Sequence, residues 1–206
     1  MNAQQILESA DFKRCEAFHG HVCGGLAIGY VAARAGLEWL REQRAVDEEL
    51  VAIVETDACC VDAVQVLTGC TLGKGNLIYK DYGKMGFTFF DRKTGHGVRL
   101  AMRADTFRVN ERQIALFKKM REGSITDAEK AELSALGMKR TVEVLETPAK
   151  ALFIMTPVIA GVPEKARIAP STPCARCGEP TMATKLEPLA GEMVCRGCLA
   201  STMHDA

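Results

Sequence analysis

His19, His21 and Cys23 fall within five residues of one another, in the segment Phe18-His-Gly-His-Val-Cys-Gly-Gly25. Imidazole nitrogen and thiolate sulfur both bind zinc, iron, nickel or copper, so this triplet offers a transition-metal site. Cys23 also lies just before an expected helix. Exposed amides and the helix dipole there favour a thiolate, so the same residues suit an activated nucleophile. The plainer alternative is two histidines hydrogen-bonded in a turn beside a small core cysteine. A second cysteine group, Cys59 and Cys60, begins a helix expected to follow a buried strand, with Asp57 and Asp62 on either side. Cys59 and Asp62, three residues apart, share a helix face. Here the alternative is two buried cysteines and a capping aspartate.

Cys174, Cys177, Cys195 and Cys198 form the pattern C-x2-C-x17-C-x2-C. Two such knuckles can fold back and place four thiolates tetrahedrally around one zinc ion. Two disulfides or redox pairs are the competing reading. Nothing else in the chain points to an oxidising compartment. The first twenty residues contain no apolar signal-peptide core, and no apolar run approaches a membrane span, so a cytoplasmic protein with reduced thiols is expected.

Apolar spacing and end signals predict the elements that must hold these residues. Helices are expected over 3–18 and 25–42, the second with a small-residue surface that invites close packing, often at a subunit interface. Val51–Thr56 reads as a buried strand, with Asp57 capping a helix from Ala58 to Thr68 that Gly69 ends. Strands follow at Asn76–Lys80, Gly86–Phe90 and Gly97–Arg103, then helices at Asn110–Met120 and Thr126–Glu146, the latter opened by a Thr126/Glu129 capping box. Leu152–Met155 reads as a last strand, and four prolines between 157 and 173 mark a linker. The predicted class is α+β, with helices packed on a small, mostly antiparallel sheet over 1–165. A four-cysteine zinc-ribbon or treble-clef-like module occupies 166–206.

The 206-residue chain carries 26 basic and 26 acidic side chains, a balance that argues against a dedicated nucleic-acid binder. Residues 74–108 alone hold eight basic side chains, Arg108 included, against three acidic ones. Such a strip is either a solvated sheet edge or an attractor for a small anionic substrate. The loop Thr71-Leu-Gly-Lys-Gly-Asn76 fails as a phosphate-binding loop. It is one residue short, has Gly75 where Ser or Thr is needed, and follows a helix. Lys74 retains the capacity to bind an anion or orient a substrate.

The segment Phe18–Gly25, the stretch Asp57-Ala-Cys-Cys-Val-Asp62 through Gly69-Cys-Thr-Leu-Gly-Lys-Gly-Asn-Leu77, and Asp81-Tyr-Gly-Lys84 together resemble the FmdE-like family, named for a component of formylmethanofuran dehydrogenase. The resemblance runs nearly end to end and extends to the terminal cysteines. It implies an α+β core domain and, in the longer members, a zinc-finger domain and an intertwined homodimer. It further implies a core metal site drawn from His19, His21, Cys23 and Cys59. His21, Cys23, Cys59, Asp62 and Lys74 become the candidate catalytic residues, with Cys70 nearby. Cys60 occupies a position that the family pattern does not require. The parent complex reduces carbon dioxide with a pterin-bound metal and iron–sulfur clusters. No ferredoxin-type cysteine run is present here, so the chain alone is not expected to perform that reaction.

The leading functional expectation is therefore a metal-binding protein with zinc in the C-terminal module and a metal or thiolate site in the core. It would act as an enzyme or accessory subunit of one-carbon or redox metabolism. The alternative is a zinc-finger regulator, a metal sensor, or a protein- or nucleic-acid-binding adaptor.

Overall fold

The structure, a computed structural model, describes residues 1–42, 44–106, 111–159, 161–166 and 168–204, with side chains through 201. Arg108 and Asn110, used above, lie outside the described residues. The chain divides into two compact units, Met1–Lys165 and Ala166–Ala206.

In the first unit, α1 (Ala3–Leu7) and α2 (Ala10–His19) replace the single helix expected over 3–18. The break has a local cause. Ser9 is extended and its hydroxyl accepts from the Phe12 amide, so it starts a new helix instead of continuing the old one. Gly20, at φ +92°, ends α2, and α3 (Gly24–Leu40) follows with Cys23 as its N-cap. Strand β1 (Leu50–Val54) leads into α4 (Cys60–Thr68) and β2 (Leu77–Tyr79), which lies parallel to β1. Strands β3 (Gly86–Asp91) and β4 (Gly97–Met102) then form an antiparallel hairpin. Next come α5 (Glu111–Arg121), α6 (Asp127–Glu146), the short α7 (Ala149–Leu152) and β5 (Phe153–Val158). The sheet order is β2-β1-β3-β4-β5, with a single parallel pair. This is an α+β core. The capping box of α6 forms as read, Thr126 and Glu129 each accepting from the other's amide.

Asp57 does not cap α4. The helix begins at Cys60 with Cys59 as an N-cap that makes no side-chain cap bond, which leaves Asp57 two residues ahead of the cap position. Its carboxylate is exposed.

Helix α3 is the spine of the unit. Nine of its residues are buried, from Leu26 to Gly36, and it packs against α4, α6 and the strands β3 and β4. Small residues of α3 let it pack closely on the chain's own elements. A methyl group added at Gly29 would lie 2.0 Å from the Cys60 carbonyl oxygen, and one at Gly36 would lie 2.3 Å from the Phe89 ring. The main core, with Phe12, Leu26, Phe87, Leu100 and Phe153 fully buried, fills the space between helices and sheet. The opposite sheet face carries a smaller cluster of Val51, Ile53 and Phe90. Glu55, buried at the end of β1, accepts two hydrogen bonds of 2.8 Å from the Arg99 guanidinium, which hold its carboxyl below the usual carboxylate range.

The second unit contains the hairpins β6 (Ser171–Pro173)/β7 (Pro180–Met182) and β8 (Leu186–Leu189)/β9 (Glu192–Cys195), then α8 (Arg196–His204). A knuckle, a hairpin and a helix in that order make it treble-clef-like. Its apolar core is small: Cys174, Leu186 and Val194, with Leu189 and Leu199 against them. Among the described residues no helix is long and apolar enough to cross a membrane.

Gly29→Ala tests the α3–α4 contact. In an exposed helix the change gains about 1 kcal/mol, but here the methyl must displace backbone, which costs about 3 kcal/mol. Denaturant unfolding should show net destabilisation of the first unit, and a stabilised variant would refute the packing described.

Candidate functional site

The first site is assembled where three helix ends converge. His19 is the last residue of α2, Cys23 is the cap of α3, and Cys59 and Asp62 lie at the start of α4. The left-handed Gly20 turns the chain back on itself, so His19 and His21 stand with ring centroids 4.5 Å apart. Ligand atoms of His19, His21 and Cys23 all lie within 4.8 Å of one another. His19 Nδ1 is 2.7 Å from a carboxylate oxygen of Asp62, which fixes the ring and leaves Nε2 facing Cys23 Sγ at 3.7 Å. Cys23 Sγ also accepts from the Leu26 amide at 3.4 Å, so the sulfur sits in the positive field of the α3 N-terminus.

Cys59 borders this group. A methyl at Gly25 would be 3.0 Å from Cys59 Cβ and 3.8 Å from Cys23 Sγ, so Gly25 lets α3 lie close against Cys59, on the side that Cys23 also borders. Burial pushes the Cys59 thiol above its ordinary value, and the neighbouring Cys23, through its charge and a shared side-chain hydrogen bond, pushes it further. A hollow of about 410 Å³ opens beside these residues. His19, Cys59, Asp62 and Asp57 line it together with apolar Val54, Leu72, Leu77 and Tyr79.

The other candidates are placed elsewhere. Lys74 donates to the Asp47 carbonyl at 2.9 Å and the Val46 carbonyl at 3.4 Å, and it does not line the hollow. Cys60 is fully buried against Met85, with its thiol pushed up to about 12 by burial, and Cys70 is fully buried as well. These are packing residues. The lining side chains Thr56, Leu72 and Tyr79 carried no signature in the sequence, because they come together only when β2 returns parallel to β1. Asp62 was legible as a neighbour of Cys59, but its engagement with His19, 43 positions earlier, was not.

The second site is the four-cysteine cluster. Cys174, Cys177, Cys195 and Cys198 converge, with sulfur–sulfur distances of 3.9 Å for Cys174–Cys198 and for Cys177–Cys195. The Cys195 amide donates to Cys174 Sγ at 3.2 Å, and the Cys198 amide donates to Cys195 Sγ at 3.4 Å. Donation from the amides of Cys177 and Cys195 draws the Cys174 thiol down to about 6. Contacts with Cys195 and Cys177 push Cys198 up to about 12. The cluster could hold a metal ion through four sulfurs.

A family model described as FmdE, molybdenum formylmethanofuran dehydrogenase operon, matches residues 18–154, the span that contains the whole histidine–cysteine group. The chain belongs to this family. A relative from Archaeoglobus fulgidus, named as a probable S-adenosyl-L-methionine-binding protein, is 34% identical over 197 residues, covering 91% of this chain and 52% of its own. The chain thus spans about half the length of the curated relative it matches. A solved structure, that of an FmdE-like protein of the tungsten formylmethanofuran dehydrogenase type from Syntrophus aciditrophicus, shares the fold. Its TM-score is 0.62 and its identity 22%, over 97% of this chain and 93% of that one.

The Cys23–Cys59 contact has a titration signature. An acid whose pKa is raised stays protonated to higher pH, so Cys59 should remain a thiol through neutral pH. In metal-free protein, the rate of Cys59 alkylation against pH should have a midpoint above the ordinary 9.0. Cys23→Ala should move that midpoint down. A midpoint indifferent to the substitution would show that the two sulfurs do not interact.

Proposed function

We propose that the first unit is a metal-dependent ligand-binding centre. In this reading His19 Nε2, His21 and Cys23 hold one transition-metal ion, Asp62 orients His19, and the fourth position faces Cys59 and the hollow. The carrying observation is the 3.7 Å approach of His19 Nε2 to Cys23 Sγ with the opposite ring nitrogen tied to Asp62. Two ligands bound tetrahedrally at typical metal–nitrogen and metal–sulfur lengths stand about 3.6 Å apart. An open fourth position distinguishes a reactive or ligand-accepting metal from a structural one. The metal would supply Lewis acidity at the mouth of the hollow, where the surrounding side chains hold and orient a small molecule. Family membership supports a place in one-carbon or redox metabolism, as an enzyme or accessory subunit.

Zinc is the ion we assign to the C-terminal cluster. Four thiolates at about 2.3 Å from one zinc stand about 3.8 Å apart, and the two observed sulfur pairs are at 3.9 Å. With so small a core, this unit depends on the metal for its fold.

A second reading concerns the ligand. The name of the Archaeoglobus relative, a probable S-adenosyl-L-methionine-binding protein, supports S-adenosyl-L-methionine as the occupant of the hollow. Leu72 and Tyr79 offer apolar surface for a base, and Asp57 offers a carboxylate to a sulfonium. The regulatory alternative gains little from the basic strip. Arg99 is committed to Glu55, and Arg92 to Glu48 and the Pro163 carbonyl. The homodimer implied by the family resemblance is retained as a proposal, supported by the exposed apolar side chains Ile114, Phe117 and Met120 on α5.

Elemental analysis of metal per chain tests both assignments. Wild-type protein should carry one ion in each site, and Cys23→Ser should keep only the C-terminal one. Asp62→Asn should weaken the core site roughly 10- to 100-fold while leaving the cysteine cluster loaded. A wild-type protein whose metal content is untouched by Cys23→Ser would overturn the core centre. Equilibrium dialysis with S-adenosyl-L-methionine decides the ligand reading separately.

A further inference from the structure

Cys23 has two neighbours of different kinds: the imidazoles that would share a metal with it, and the thiol of Cys59. A methyl placed on Gly25 would be 3.6 Å from Cys59 Sγ and 3.8 Å from Cys23 Sγ, so both sulfurs border one methyl-sized gap. Cys59 falls outside the group whose ligand atoms are all mutually within 4.8 Å, so it adjoins the metal triplet without completing it. It lines the hollow and is part-exposed, whereas the adjacent Cys60 is fully buried against Met85. Cys15 and Cys70 are likewise fully buried. Among the described cysteines of the first unit, only Cys23 and Cys59 are both accessible and adjacent.

The geometry points to a reversible disulfide between Cys23 and Cys59 as a second state of this centre, mutually exclusive with metal. The metal half of this statement rests on the reading given under Proposed function. The oxidant is a low-molecular-weight disulfide. The Cys23 thiolate, at the α3 N-terminus, attacks one sulfur of that disulfide and expels the other as a thiolate. Cys59, on losing its proton, attacks the Cys23 sulfur of the mixed disulfide and expels the second thiolate. The two protons from the protein thiols end on the two released thiols. The protein loses two electrons to the small disulfide, and one new sulfur–sulfur bond replaces the one broken. A sulfur in that bridge carries no thiolate charge to offer a metal, and a thiolate held by a metal is no longer free to attack. The centre is therefore either loaded and reduced, or empty and bridged. Gly25 lets α3 lie close against Cys59, because a methyl there would be only 3.0 Å from Cys59 Cβ.

The test uses full-length protein, reduced and freed of metal with a chelator, and the same protein reloaded with zinc. Each is exposed to oxidised glutathione, alkylated, digested and mapped by tandem mass spectrometry, with metal content measured on the same samples. The metal-free protein should yield a peptide pair joined through Cys23 and Cys59, two hydrogens lighter than its reduced parts. Dithiothreitol should release it, Cys59→Ser should abolish it, and zinc in the core should reduce its yield at least tenfold. Absence of that linked pair from metal-free wild-type protein overturns the inference, as does undiminished bridging in chains shown to hold a core ion. Bridging in a protein whose reduced form binds no core ion would instead refute the metal assignment and leave the thiol pair standing.

Discussion

The close crossing of α3 and α4 is the constraint on which the site depends. Two glycines on one face of α3 set it. Gly29 lets the helix reach the backbone of Cys60, where an added methyl would sit 2.0 Å from the carbonyl oxygen, and Gly25 lets it reach Cys59 one residue earlier. Nothing larger than hydrogen fits at Gly29. The consequence propagates outward. With the helices pressed together, the N-terminus of α3 and the first turn of α4 face the C-terminus of α2 across a short gap. Cys23, Asp62 and His19 fill that gap from three different elements. The small residues of α3 thus act inside the chain, as the means of bringing distant chemistry to one point.

The polar arrangement follows from that packing. Asp62 belongs to the first turn of α4, where a carboxylate is already favoured by the helix dipole, so its pairing with His19 adds to an existing preference. Because one ring nitrogen is engaged, the other is presented in a fixed direction. The Cys23 sulfur is aimed in the same way by the Leu26 amide. The three elements and their hydrogen bonds hold these groups in one fixed arrangement.

Much of this was readable in the chain. The pattern of the terminal cysteines announced their convergence, and His-x-His-x-Cys announced the core triplet, because ligands that are close in sequence need only a turn to meet. Gly20 supplies that turn. The α+β class followed from the order of periodic segments, and the Thr126/Glu129 box placed the start of α6. The expectations that the structure corrects share a physical cause, namely tertiary placement overriding a local preference. Asp57 has the right side chain for a cap, but the cap position of α4 lies two residues later. The apolar spacing over 3–18 suits one helix, but Ser9 satisfies the Phe12 amide and divides it. Lys74 offered an ammonium for an anion or substrate, and in the structure it is held by the Val46 and Asp47 carbonyls, away from the hollow. No local signal could reveal that Asp62 would meet His19 or that Tyr79 would close the hollow, since each depends on contacts far apart along the chain.

The Cys23 sulfur has two duties, and they are thermodynamically linked. It is the cap that starts α3, and it is a member of the triplet that faces His19. A capping sulfur is a stronger acceptor as a thiolate than as a thiol. An ion bound there as proposed would, in drawing the proton off Cys23, also strengthen the first turn of the helix that forms the spine of the unit. By mass action, the free energy of unfolding would then rise with the logarithm of free metal concentration once that concentration passes the dissociation constant. On the proposed reading the centre would couple the metal content of the surroundings to the stability of the fold, and the helix that carries the core would register whether the site is filled.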